Sequence, residues 1–184
     1  MEPYIERTRK WVEQWVIGLN LCPFAAVPFR KDQIRYFLSE TIDAEELMID
    51  FLGELNLLCD TTASNLATTL LIHPKILTDF EDYLDFASEA EAVIEQAGLD
   101  GVFQIATFHP DYRFADAPAD DPAHYTNRSP FPMLHIIREE SISEAAEHYP
   151  DLESIPRRNM ELLREMGRDE IRDLLAGIGS NKKD

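Results

Sequence analysis

The residues best suited to chemistry in this chain are a few histidines, one cysteine and two arginines. His73 and His109 each close an apolar run and precede a proline, in LLIHP and ATFHP. An imidazole titrates near neutrality, so one at the end of a strand can take or give a proton. Asp111 follows His109 closely and adds a carboxylate. Arg113 and Arg128 carry guanidinium groups, which grip a carboxylate or phosphate through two parallel hydrogen bonds. Tyr125, Thr126, Asn127 and Ser129 surround Arg128 with amide and hydroxyl groups. Cys22, in LCPF, would be a nucleophile if a nearby histidine acted as its base. The expected catalytic set is His109, Cys22 and Asp111. The expected ligand-binding set is Arg128, Asn127, Tyr125, His73, Arg113 and His135.

Each assignment has a structural alternative. His135 alternates with Met133 and Ile137 along a strand, which suits a hydrogen-bonded core or interface histidine. Cys22 follows a helix C-terminus, where the dipole raises a thiol's pKa, so a tight Cys-Pro turn explains it equally. The run Tyr125–Ser129 suits an anion site, and it also suits a loop tied down by its own side chains. Asp120-Asp121-Pro122 reads as a turn. His109 with His73 or His124 could hold a divalent metal, although the spacing matches no local metal signature. The cofactor therefore stays open.

These residues need elements to position them. Tyr4 to Leu19 has apolar residues at helical spacing, and Asn20 can end that helix in a left-handed turn. Ile34–Ser39 reads as a short strand after a basic connection. Asp43 and Glu46 mark a helix start, with Leu47, Met48, Phe51, Leu52, Leu55, Leu58 and Cys59 on one apolar face, where Cys59 reads as a buried core thiol. Thr68–Ile72 is a buried strand by composition. Thr78-Asp79-Phe80-Glu81 has capping-box form and opens a helix that Gly98 stops. Val102–Phe108 and Met133–Ile137 are two further strands. Between them, residues 109–132 form a long aromatic and proline-rich loop, a length that in a compact domain signals function. A short helix from Ser141 (His148 on its surface), a last helix from Ser154 and a frayed tail at 179–184 complete the chain. The expected fold is α/β, with α+β as an alternative: one domain over 1–184, with helices packed on a small mixed four-stranded sheet. Crossover rules make the first three strands parallel, with the fourth returning antiparallel across the loop. Ligands collect at the carboxyl ends of such strands, where His73, His109 and Arg128 would meet. Arg138 would then lie at the far end of the fourth strand, roughly 17 Å away at about 3.4 Å per residue.

Composition narrows the partners. The 184 residues carry a formal net charge of −18, which disfavours nucleic acid and anionic membranes. No apolar run approaches the length of a membrane span. The N-terminal MEPYIERTRKWVEQW lacks an apolar signal core, so a cytoplasmic protein with reduced Cys22 and Cys59 is expected. From Glu40 to Asp100 there are fifteen acids and one base, Lys75. Bases gather at Arg7, Arg9, Lys10, Arg30, Lys31 and Arg35, and again at Arg113, Arg128 and Arg138. A small anionic molecule held beside the 109–132 loop is the expected partner.

Four blocks carry a family resemblance: GLNLCPFA at 18–25, TTLLIHP at 68–74, FHPDYRFA at 108–115 and YTNRSPFPMLHIIREES at 125–141. Through them the chain resembles the bacterial family of proteins known as domain of unknown function 1415. The resemblance covers nearly the whole chain and implies a bacterial cytosolic protein of about one domain. It implies no activity, cofactor or catalytic residue. Two readings stand: an enzyme or enzyme-like binder of a small anionic metabolite, and a non-catalytic protein-interaction module with structural histidines.

Overall fold

Thr68–Ile72 is buried at every position, as a strand covered on both faces must be. In a computed structural model, which describes residues 3–142, 151–152 and 154–179, this segment is β2 of a mixed four-stranded sheet. β1 (Ile34–Leu38) flanks it on one side and β4 (Met133–Arg138) on the other, with β3 (Phe103–Phe108) beyond β4. β1 runs parallel to β2, and β4 runs antiparallel to both β2 and β3. Class and strand directions match the sequence reading. The neighbours do not: β2 and β3 point the same way but do not touch, because β4 lies between them. The compositions account for this order. β4 buries Met133, Leu134, Ile136 and Arg138 and suits a central place, whereas β3 exposes Gln104 and suits an edge.

Helices cover both faces. Alternation sends Leu71, Leu134, Ile136 and Phe103 to one side. There they pack under α3 (Ala44–Asp60) and α4 (Phe80–Gln96). Asp43 and Asp79 cap these two helices, each accepting two backbone N–H bonds in the first turn. Leu70, Ile72 and Met133 face the other side, beneath Trp11, Trp15 and Leu163. α1 (Pro3–Trp11) and α5 (Ser154–Gly179, interrupted at Gly167) form that second layer. Among the described residues no helix is long and apolar enough to cross a membrane.

Four local features differ from the expectations from sequence, the first being Cys59, which is exposed at the end of α3 rather than buried on its core face. The first helix does not run uniformly to Leu19: it widens into a π-helical turn over Val12–Ile17. That turn keeps both Trp11 and Trp15 buried at about 1% exposure. It also brings Gly18 against Gln14, whose carbonyl oxygen would lie 2.1 Å from any Cβ there. The basic connection contains a short helix, α2 (Ala26–Arg30). The 109–132 loop is not wholly irregular, because Pro122–Thr126 forms a 3₁₀ turn. The helix expected from Ser141 is described only to Ile142. His148 and the tail beyond Gly179 lie outside the described residues.

Candidate functional site

The carboxyl ends of β2 and β3 and the start of β4 share one edge of the sheet, and the long loop closes over it. His73 N–H donates to the Pro132 carbonyl at 3.1 Å, which ties β2 to the end of the loop. His109 N–H donates to Asn127 O at 3.2 Å, and Asn127 Nδ2 donates to Thr107 O at 3.1 Å. The loop therefore returns along β3 and is pinned there by Asn127.

Tyr83, on the buried face of α4, stands between the two histidines. Its ring centroid lies 5.9 Å from that of His73 and 5.1 Å from that of His109. Its hydroxyl donates to Met133 O at 2.8 Å and accepts from Phe108 N–H at 2.9 Å. β3 and β4 are thus joined at this end through a side chain. Nothing in the apolar spacing of α4 announced this role. The only hint is that a buried tyrosine hydroxyl needs a partner.

The imidazoles are bonded to the backbone. His109 Nε2 donates to Leu77 O at 3.1 Å, and its Nδ1 accepts from Asp111 N–H at 3.0 Å. This pairing requires the neutral Nε2–H tautomer. Burial pushes its pKa down, opposed mainly by the Leu77 bond. His73 Nδ1 donates to Ile76 O at 3.2 Å, while its Nε2 is buried without a partner. Burial pushes the pKa of His73 down to about 4. His124 Nε2 donates to Pro118 O at 2.7 Å, and its Nδ1 accepts from Phe114 N–H at 3.1 Å. His135 Nε2 pairs with Thr68 Oγ1 at 2.7 Å, and burial holds this histidine at about 4 as well. Among the described residues no group of three or more His, Cys, Asp or Glu is arranged to hold a metal ion.

Arg128 is different. Its Nε donates to Tyr112 O at 3.1 Å, and its Cζ lies 4.6 Å above the Tyr125 ring. The Tyr125 backbone is held in turn, with its carbonyl accepting from Trp15 Nε1 at 3.4 Å. Among the described residues the terminal guanidinium nitrogens of Arg128 have no hydrogen-bond or ion-pair partner. Arg113, by contrast, is exposed, pairs with Glu81 at 3.3 Å and lies over Phe80. Asp111 is exposed, and its backbone serves His109.

Cys22 stands apart. Among the described residues no histidine hydrogen-bonds it. Burial pushes its thiol up, and the N–H groups of Phe24 and Ala25 only partly oppose that. Arg138 is also remote from the loop. It donates to the carbonyls of Leu58, Thr61 and Leu66, holding the end of α3. Asp121 is expected from the sequence to be a turn residue. It does cap the 3₁₀ turn through Ala123 N–H, and it also receives Arg164 of α5 at 2.7 Å. An open hollow of about 330 Å³ lies elsewhere, between Leu19, Asn20, Arg158, Glu161, Leu162 and Glu165, and contains none of the expected site residues.

The model of one family, described as "Protein of unknown function (DUF1415)", matches residues 3–173. The chain belongs to that family. No curated protein and no solved structure matches it.

Proposed function

We propose that this protein binds a small anionic molecule through a carboxylate or phosphate held by Arg128, and that its histidines build the loop that presents this arginine. One observation carries the reading: the guanidinium is fixed at Nε and stacked on Tyr125, while its outer nitrogens have no partner among the described residues. A guanidinium held this way loses little side-chain freedom when it grips an anion, which favours binding. Asn127 and Tyr125 act as orienting groups, the first by pinning the loop to β3 and the second by supporting the guanidinium.

Binding is better supported than proton transfer. Both ring nitrogens of His109 and of His124 bond backbone atoms, so neither offers a free lone pair to a substrate. Among the described residues no histidine hydrogen-bonds Cys22, and burial pushes its thiol toward the protonated form. A cytoplasmic setting fits the reduced thiols.

The test is ligand-induced stabilisation. Pyrophosphate and citrate, as phosphate and carboxylate probes, should each raise the melting temperature of the native chain. Arg128→Ala should melt within a few degrees of the native protein and lose that response. If Arg128→Ala responds as the native protein does, the anion sits elsewhere and the reading fails.

A further inference from the structure

The two edges of the sheet are treated differently. On β3 the outer side is tied at both ends. Phe103 N–H turns to Leu99 O, Thr107 O accepts from Asn127, and His109 N–H meets Asn127 O. On β1 it is open. Gln33 O accepts from Ala67 N–H and Ser39 N–H donates to Ile72 O, so odd-numbered residues face β2. Alternation then turns the N–H and C=O groups of Ile34, Tyr36 and Leu38 outward. Among the described residues these six groups have no partner.

Nothing in β1 protects this edge. It has no proline and no bulge, and its one charge, Arg35, turns back to Glu54 of α3 at 2.6 Å. An unguarded apolar edge is a template for another strand. Exposed apolar side chains stand just before and after it: Val27 at 48% and Ile42 at 79% exposure.

Charge selects the occupant. At the start of β1, Arg30 and Lys31 are exposed and have no acidic partner among the described residues. Beyond its end, Glu40, Asp43, Glu45 and Glu46 are exposed. The edge is therefore basic at one end and acidic at the other. Two such edges laid antiparallel about a two-fold axis bring each basic end to an acidic end. Parallel pairing would oppose like charges.

We infer that the β1 edge is a self-association surface, on which a second copy of this chain adds its own β1 antiparallel to make one continuous sheet. The contact is isologous, with the same residues on both sides. A short strand pair buries little area, so the equilibrium is reversible and set by protein concentration.

Sedimentation velocity on the full chain, with amide hydrogen exchange at Ile34, Tyr36 and Leu38, tests this. The expected result is a monomer–dimer equilibrium in which those three amides gain protection as concentration rises. Arg30→Glu with Lys31→Glu makes both ends acidic, and should weaken the dimer about tenfold or more while leaving the melting temperature unchanged. Any one of these results overturns the inference: a chain that stays monomeric up to about 1 mM, well above the micromolar range of specific contacts; a dimer in which the three amides exchange as before; or a dimer indifferent to the charge reversal. Protection that appears only with an added acidic peptide, and never with chain concentration, would assign the edge to another protein and overturn it too.

Discussion

His109 Nε2 lies 3.1 Å from the carbonyl oxygen of Leu77, a residue held in the left-handed region at φ 55°. The bond ties the end of β3 to the turn that leads into α4. His109 is 1% exposed, so removing its ring would open a cavity and leave Leu77 O and Asp111 N–H without this partner. His109→Ala is therefore expected to destabilise the protein by roughly 2–4 kcal/mol, combining a cavity with unsatisfied polar groups. Urea unfolding measures this. A His109→Ala variant as stable as the native chain would show that the bond contributes nothing.

Tyr83→Phe removes a single oxygen that serves both β3 and β4. It leaves Phe108 N–H and Met133 O without that partner in a buried setting, at a cost of about 1–3 kcal/mol. Amide exchange at Phe108 should accelerate in the variant, while exchange at Leu71 in β2 follows global stability only. Unchanged protection at Phe108 would mean that the hydroxyl does not hold the strands together.

Gly18→Ala tests the π-helical turn. The added Cβ would meet Gln14 O at 2.1 Å, a backbone atom that cannot rotate away. A loss of about 1–3 kcal/mol is expected, the usual range for overpacking. A neutral effect would mean that the turn relaxes to an ordinary α-helix without penalty.

Acid should destabilise the protein well before its carboxylates titrate. Burial holds His73 and His135 at about 4 when folded, against about 6.5 when unfolded. Between these values the unfolded chain binds more protons than the folded one. Stability is therefore complete above about pH 6.5 and falls as pH drops toward 4, with a slope on the order of 1 kcal/mol per pH unit for each histidine. In His73→Phe, which preserves an aromatic ring against Tyr83, that slope should be shallower whatever the absolute stability. An identical slope would mean that His73 titrates alike in the folded and the unfolded chain.

The elements legible in the sequence were those whose physics is local. TTLLI declares a buried strand, Asp43 and Asp79 lie at the helix starts, and the right-handed crossover rule gives the strand directions. The insertion of β4 between β2 and β3 was hidden because it depends on which edges compete for a two-sided apolar strand. The His-Pro strand ends were visible as candidates for one shared edge. What their ring nitrogens bond was not visible, since Leu77 is 32 positions from His109. The π turn was also hidden, because Trp11, Val12, Trp15 and Val16 fit an ordinary helical face equally well. Arg128 could be singled out by type and neighbourhood, but the Tyr112 carbonyl that fixes it is a tertiary contact.

The most direct measurement is titration calorimetry of pyrophosphate and citrate into the native chain, Arg128→Lys and Arg128→Ala. Saturable binding to the native protein is expected, weakened about tenfold or more in both variants, because a lysine cannot reproduce the planar fork. Binding of equal strength in all three proteins, or no binding of either anion to the native chain, would contradict it.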